Sequence, residues 1–395
     1  MTPFSSLSRR VDDALIRPLR ADDRFELESM ISRDPVSYLF AAEHLHQLGL
    51  PTSSALRQVK APYGFVGVFM PPDEPLGAQE GQPLQVSEPL RARRLNPQGL
   101  ARRFKEVAAD ASWWALGRVG RAEGAHFADS QLSGPSSLPG SAEVLAGSLE
   151  PPPAPSYRLV GAFWLGAYCF PLDLPAAYHR QVAAYIWRHQ RRLGSIFGQQ
   201  EAVMGLWSHL AGRMPTPFDV RANQPLMYLD PSYQLSSLAA ADLARPHLDA
   251  PPLLGPTRWA RTDDRASLLR ASVAMFREEV GYDPMTRDPA SYRRRVDDLI
   301  RTGRSLVAVN RENLVVFKVD VGLAHGSAGQ LQGVWLHPAY RGQGLAPILL
   351  AQAVELIRPR FPELSLYVND YNLKARSLYE GGGWQQVGTF ASILF

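Results

Sequence analysis

The sequence predicts an α+β chain of two units that share one order of strands and helices. Three observations carry this. The chain has 395 residues, room for two domains of about 150 residues and an extra segment. Proline-rich stretches at 71–156 and 230–256 divide it. On either side of the second stretch, short period-two apolar runs alternate with helical patterns in matching order.

Composition narrows the function classes. Apolar residues are 45% and charged residues 20% of the chain, as in an ordinary globular protein. Forty-two basic against 38 acidic side chains leave +4. That is a mild excess, so bulk charge argues for neither a nucleic-acid nor a membrane binder. Cys169 is the single cysteine, which excludes an internal disulfide and a cysteine zinc site. Met1–Leu15 lacks the apolar core of a signal peptide. The longest apolar run, Leu159–Leu172, is too short to span a bilayer. The expected location is cytoplasmic.

In the first unit, 1–235, Arg17–Leu19 reads as a strand, Asp22–Ser32 and Pro35–Leu48 as helices, and Gly64–Met70 as a strand. A strand resumes at Arg158–Phe170, so 71–156 reads as a loosely packed, partly mobile extension at a hairpin tip. Within it only Leu100–Leu116 has a helical pattern. The cluster Arg91, Arg93, Arg94, Arg102, Arg103 and Lys105, near Trp113 and Trp114, has the residue types of a nucleic-acid surface. The mild net charge favours a solvated basic loop instead, and no nucleic-acid partner is expected. A helix (Pro175–Leu193), a strand (Ser195–Gly198), a helix (Gln200–Leu210) and a strand (Gln224–Leu229) follow.

A linker spans 236–256, and the second unit spans 257–395. Arg258–Thr262 reads as a strand. Helices follow near Ala266–Val280 and Pro289–Thr302, then strands at Ser305–Val309, Leu314–Val321 and Gln330–Leu336. A helix, a strand, a helix and a last strand complete it. No residue-level repeat is apparent between the halves; only the order of elements recurs.

The chemistry concentrates in Leu331–Trp384. An apolar strand ends at His337-Pro338, and the turn Arg341-Gly342-Gln343-Gly344-Leu345-Ala346 leads into a helix with Pro347 in its first turn. A strand, a glycine turn and a helix N-terminus make an anion site of backbone N–H groups and helix dipole. Gly342 and Gly344 let the backbone approach a phosphate, and Arg341 adds charge. Neither the ATPase phosphate loop nor the dinucleotide fingerprint fits this spacing. Further on, Asn372 is a natural N-cap. Ala375 and Tyr379 share its helix face, and Gly381-Gly382-Gly383 ends that helix.

Arg341-x-x-Gly344-x-Ala346 after a strand, then Asn372-x-x-Ala375-x-x-x-Tyr379, then glycine and an aromatic, resemble the GNAT superfamily of acetyl-CoA-dependent N-acetyltransferases. The resemblance covers about Thr257–Phe395. The ending Val387–Phe395, with Ser365–Asn372, resembles a narrower tandem group whose N-terminal half is of unknown function. It implies two GNAT-like units, each a mixed, mostly antiparallel sheet between helix layers, a three-layer α/β sandwich. In the second unit it implies a splayed strand pair. It implies acetyl transfer from acetyl-CoA to a primary amine, on a small molecule or a protein, by direct attack. The diphosphate would meet Arg341 and the amides of Gly342, Gln343, Gly344, Leu345 and Ala346. The pantetheine arm would run along Val334, Trp335 and Leu336, and Asn372 would contact it or orient the helix. A backbone N–H near Val334 would polarise the thioester carbonyl. Tyr379 would protonate the leaving thiolate.

For the base, Glu278 and Glu279 fall where the resemblance places the loop that covers the substrate. A water chain and the carboxylate of Phe395 are the other candidates, and Gln332 cannot act as a base. The plainer readings are a core aromatic for Tyr379, which the acid role outweighs, and a solvated helix face for Glu278-Glu279, the commoner case for such a pair. His337 reads as shaping its turn. Cys169 reads as a core thiol. The histidines have no metal-ligand spacing, so no metal is expected. In the first unit the equivalent turn, Phe170–His179, has no glycine and carries Asp173, so this half is not expected to bind acetyl-CoA in the usual way. The alternative function is a non-catalytic acetyl-CoA-binding regulator or a protein-interaction scaffold. A homo-oligomer is left open.

Overall fold

The computed structural model describes residues 14–52, 64–70, 157–190, 193–234, 254–286 and 288–395. The insertion 71–156, with its expected helix and basic cluster, and most of the 236–256 linker lie outside the described residues.

The first unit contains β1 (Leu15–Pro18), α1 (Arg24–Ile31), α2 (Leu39–Leu48), β2 (Gly64–Met70), β3 (Arg158–Leu165), β4 (Tyr168–Leu172), α3 (His179–His189), β5 (Ser195–Gln199), α4 (Gln200–Leu210) and β6 (Asp219–Leu229). The second repeats that order. It contains β7 (Arg258–Trp259), α5 (Arg265–Val280), α6 (Pro289–Arg301), β8 (Ser305–Val309), β9 (Val315–His325), β10 (Ala328–Leu336), α7 (Leu345–Ile357), β11 (Glu363–Tyr367), α8 (Leu373–Gly381) and β12 (Gln385–Leu394). The fold is α+β, a mixed sheet flanked by helices. No helix among the described residues is long and apolar enough to cross a membrane.

β2 and β3 pair as a hairpin with Met70 opposite Arg158, the two ends that 71–156 joins in the sequence. The single strand expected over Arg158–Phe170 is two strands. Gly166 turns the chain, its N–H donating to the Tyr168 carbonyl at 2.9 Å, and β4 folds back with Phe170 opposite Trp164. β6 begins five residues before the expected Gln224. Its first stretch, Asp219-Val-Arg-Ala-Asn223, is too polar to read as a strand, yet it pairs with β12.

The strands form one sheet in the order β1-β2-β3-β4-β5-β12-β6-β11-β10-β9-β8-β7. The two halves of that order mirror each other about the β12/β6 pair. Each unit therefore gives its last strand to the other: β12 pairs with β5, and β6 pairs with β11. All pairs are antiparallel except β4/β5 and β10/β11. Alternating side chains feed two faces. In the first unit Phe65 and Phe69 meet α1 and α2, while Val66 and Val68 meet α3 and α4. In the second, Val307 and Trp335 meet α5 and α6, while Leu306 and Ala308 meet the α7 and α8 face.

A residue-level repeat does exist, contrary to the expectation that only element order recurs. Arg17-Pro-Leu-Arg20-Ala-Asp-Asp23-Arg24 returns as Arg258-Trp-Ala-Arg261-Thr-Asp-Asp264-Arg265. Arg17 grips Asp23 with two bonds of 2.7 and 2.8 Å, and the Arg20 N–H adds one at 2.7 Å. Arg258 grips Asp264 at 2.7 and 2.9 Å, and the Arg261 N–H adds 2.7 Å. The repeat is short, which is why a whole-chain comparison of the halves passes over it.

Candidate active site

The site forms where β10 and β11 part. They pair only over Ala328–Gln330 with Glu363–Ser365. Beyond, β10 bulges. Gln332 faces Asp320 and Trp335 faces Lys318 on β9, so the ladder skips Gly333 and Val334. Gly333 has φ +59°, a conformation that suits glycine. The fully buried Lys318 ammonium donates to the Gly333 carbonyl at 3.1 Å and to Asp320 Oδ2 at 2.7 Å. Ser305 Oγ donates to Asp320 Oδ1 at 2.6 Å. In a planar trans peptide a carbonyl and the next N–H point to opposite sides. Lys318 therefore turns the Val334 N–H away from itself.

After β10, His337 shapes the turn as expected, its Nδ1 accepting from the Ala339 N–H at 3.3 Å. Gly342 (φ +77°) and Gly344 (φ +71°) have open space where a Cβ would stand. Gly344 is the N-cap of α7 and has no side chain to satisfy the first N–H groups, those of Leu345 and Ala346 among them. Gln343 Nε2 donates to the Ala339 carbonyl at 3.1 Å. Arg341 is held in place: Nε donates to the Leu336 carbonyl at 2.8 Å and Nη2 to Glu278 Oε2 at 2.7 Å.

The structure separates the two glutamates. Glu278 is occupied, its other oxygen accepting from Trp335 Nε1 at 3.2 Å. Glu279, next on α5, keeps about 40% of its side chain exposed while protein atoms crowd it. Burial pushes its carboxyl up, and the positive charges of Arg221 and Lys318 work against that rise. Its charge reaches Tyr367, Tyr371 and Tyr379. Tyr379, on α8, is 7% exposed and packs edge-on to Trp384 at 6.0 Å. Burial first and Glu279 second push its phenol up, so it holds its proton through neutral pH. Asn372 Oδ1 accepts from the Ala375 N–H at 3.2 Å and caps α8.

Gln332 is no base, and the other candidate within the chain, the Phe395 carboxylate, falls elsewhere. The Gln332 side chain lies against Gly322, where a Cβ would meet it. Phe395 packs its ring on Trp207 in the first unit, because β12 crosses to β5 and carries the chain end with it. Cys169 is fully buried, and burial pushes its thiol up. Among the described residues no metal-binding cluster occurs.

Residues 274–383 match the family model described as the acetyltransferase (GNAT) family. This stretch is a GNAT acetyltransferase-family domain. Residues 154–245 match a domain of unknown function, DUF4081. No curated protein matches the chain. Solved structures similar to it include a GNAT-family acetyltransferase from Colwellia psychrerythraea (10% identity, 60% of this chain and 82% of that one, TM-score 0.40). A tandem GNAT protein from the clavulanic acid biosynthesis pathway shows 15% identity, 61% and 81% coverage, and TM-score 0.37. A PaiA N-acetyltransferase from Thermoplasma acidophilum, solved with coenzyme A, shows 14% identity, 36% and 99% coverage, and TM-score 0.29.

Sequence reasoning about the GNAT domain missed Arg221, Lys318 and Asp320. Arg221 lies in the polar stretch read as loop, in the other half of the chain. Lys318 and Asp320 did leave a signal: two opposite charges two apart in Val-Val-Phe-Lys318-Val-Asp320-Val. Such a pair shares one strand face, and an apolar strand buries it only as a pair.

Proposed function

We propose that the second unit, 257–395, transfers an acetyl group from acetyl-CoA to a primary amine by direct attack, with the first unit, 1–235, joined to it by the 236–256 linker. The observation that supports this is that Glu279 is within electrostatic reach of Tyr379 and of Lys318, which holds the Gly333–Val334 bulge, while the adjoining Glu278 grips Arg341 of the Gly342–Gly344 turn. The chain's own groups fit the donor. The glycine turn and the open N-terminus of α7 suit a diphosphate. Arg341 adds a charge beside them, and the parting of β10 from β11 after Gln330 frees the β11-facing edge of β10 for an extended arm along Val334, Trp335 and Leu336. Bound acetyl-CoA supplies an acyl thioester.

Val334 donates its N–H to the acyl oxygen, and Lys318 keeps that peptide from turning. Glu279 takes the proton from the amine, having a raised carboxyl and a share of exposure. Glu278 orients Arg341 and Trp335. Tyr379 gives its proton to the departing sulfur, a role that suits a phenol still protonated at neutral pH.

The test is turnover. Purified protein is incubated with acetyl-CoA and a panel of small amines and lysine peptides, and coenzyme A thiol release is followed together with acetylated product by mass spectrometry. Release with at least one amine is expected, and Tyr379→Phe lowers kcat by about 100-fold. Absence of product from a folded protein that binds acetyl-CoA would favour the regulator reading.

A further inference from the structure

We infer that the N-terminal half completes the acetyl-transfer site: Arg221, carried into it on the exchanged strand β6, is a positioning residue for Glu279. The inference rests on the base role proposed for Glu279.

The Arg221 side chain is 3% exposed. A buried guanidinium persists only where fixed acceptors and opposite charge surround it. Its fork reaches three of them. Nε donates to Asp219 Oδ2 at 2.8 Å. Nη2 donates to the Glu279 main-chain carbonyl at 2.8 Å, in the last turn of α5, where the helix dipole is negative. Nη1 stands 3.7 Å from Glu279 Oε1. The main-chain bond pins the end of α5. The longer separation puts positive charge beside the carboxylate without a hydrogen bond occupying that oxygen. Glu278 is the contrast, since both its oxygens accept direct bonds. One glutamate is consumed by its partners, and its neighbour stands beside a guanidinium and is left open to a substrate proton.

The same strand builds the adjoining wall. Gln224 Nε2 donates to Asn369 Oδ1 at 2.8 Å, and the Val368 N–H donates to the Pro225 carbonyl at 3.1 Å. These bonds fix the segment between β11 and α8, the helix of Tyr379. A GNAT domain without the first half would lack both the guanidinium and this wall.

The groups facing Glu279 are Arg221 on β6, Lys318 on β9, Tyr367 on β11, Tyr371 in the following loop, Tyr379 on α8 and Tyr292 on α6. Asp219 competes with Glu279 for Arg221.

The experiment uses the full chain labelled with glutamate carrying ¹³C at the side-chain carboxyl. The Glu279 resonance is the one that Glu279→Gln removes. In Arg221→Met its titration midpoint is expected to rise by about one pH unit, and Arg221→Lys should return most of that shift. In Asp219→Asn, where Glu279 is the remaining carboxylate of Arg221, the midpoint should fall. This last variant decides the matter if Arg221→Met does not fold. The acid limb of kcat/KM should follow the same shifts. An unmoved midpoint in folded Arg221→Met, or in Asp219→Asn, overturns the proposal. If no amine is acetylated, the proposed function fails, yet the titration still reports whether Arg221 sets the charge of Glu279.

Discussion

The two units arrange the same strands and helices around two clefts, one open and one filled. In the first unit β4 and β5 pair only at Tyr168–Cys169 with Ser195–Ile196. The next residues to diverge, Phe170 and Phe197, bring their rings to 5.2 Å, and Phe40 closes on them at 4.8 and 5.2 Å. In the second unit the residue after the paired stretch is the buried aliphatic Leu331, and the three that follow, Gln332, Gly333 and Val334, are all partly exposed. The helix starts differ as well. α7 opens on left-handed glycines with space before them. α3 opens on His179, a buried ring that packs where a Cβ on Gly205 would stand. Asp173 in the preceding turn is tied to Arg33 at 2.6 Å. Seven residues past the helix-capping position, Asn372 leads to Tyr379, while Gln199 leads to the buried Leu206. The scaffold is common to both; an open throat, a glycine turn and a phenol separate them. That difference supports acetyl-CoA binding in the second cleft alone.

The largest effect expected is on the filled cleft. Phe170→Ala should cost about 3–5 kcal/mol of stability, read by denaturant unfolding. It should create no second acetyl-CoA site, because the α3 turn still lacks glycines. A second stoichiometric site in that variant would mean the rings alone keep the first unit silent.

In the open cleft, Gly344→Asp forces a side chain into a left-handed backbone and sets a carboxylate against the diphosphate. Acetyl-CoA affinity should fall on the order of 100-fold, measured by calorimetry, with the unfolding midpoint little changed. Undiminished affinity would remove the turn from the site.

Glu279→Gln tests the chemistry. A carboxylate base works ionised, so in the proposed role protonation would switch Glu279 off as pH falls. Since burial pushes this carboxyl up, the acid limb of kcat/KM should lie above the ordinary carboxylate range. The variant should lose about 100-fold at neutral pH together with that limb. A limb that survives unchanged would assign it to the amine substrate.

The smallest effects concern what the units share. Arg17→Ala and Arg258→Ala should each cost about 1–2 kcal/mol at neutral pH. For Asp264 the bonds from Arg258 outweigh burial and hold the carboxyl low; for Asp23 burial raises it, and the arginine bonds outweigh that. A carboxyl lowered on folding contributes fully above its unfolded pKa, about 3.9, and the contribution fades as pH falls through the lower folded value. Each variant should therefore converge on the parent in acid. Unequal costs would show that the repeated motif is sequence without shared function.

Most of the second unit was legible because its signals are local. Pairs of glycines mark left-handed turns, Asn372 caps a helix, and period two marks Leu364–Val368. Two kinds of feature were not local. The exchange of β6 and β12 is a pairing across the chain, and no property of Asp219–Asn223 alone distinguishes it from loop. The different partners of Glu278 and Glu279 depend on which side of α5 each leaves the helix, and the adjoining pair reads alike in sequence. Arg221 combines both difficulties, being polar, outside the stretch that matches the GNAT family and meaningful only once its strand has crossed.

The most direct test of the contrast between the clefts is the stoichiometry of acetyl-CoA binding to the full chain by titration calorimetry. The account predicts one site per chain, abolished by Arg341→Glu combined with Gly344→Asp. Two sites, or one that survives those substitutions, would contradict it.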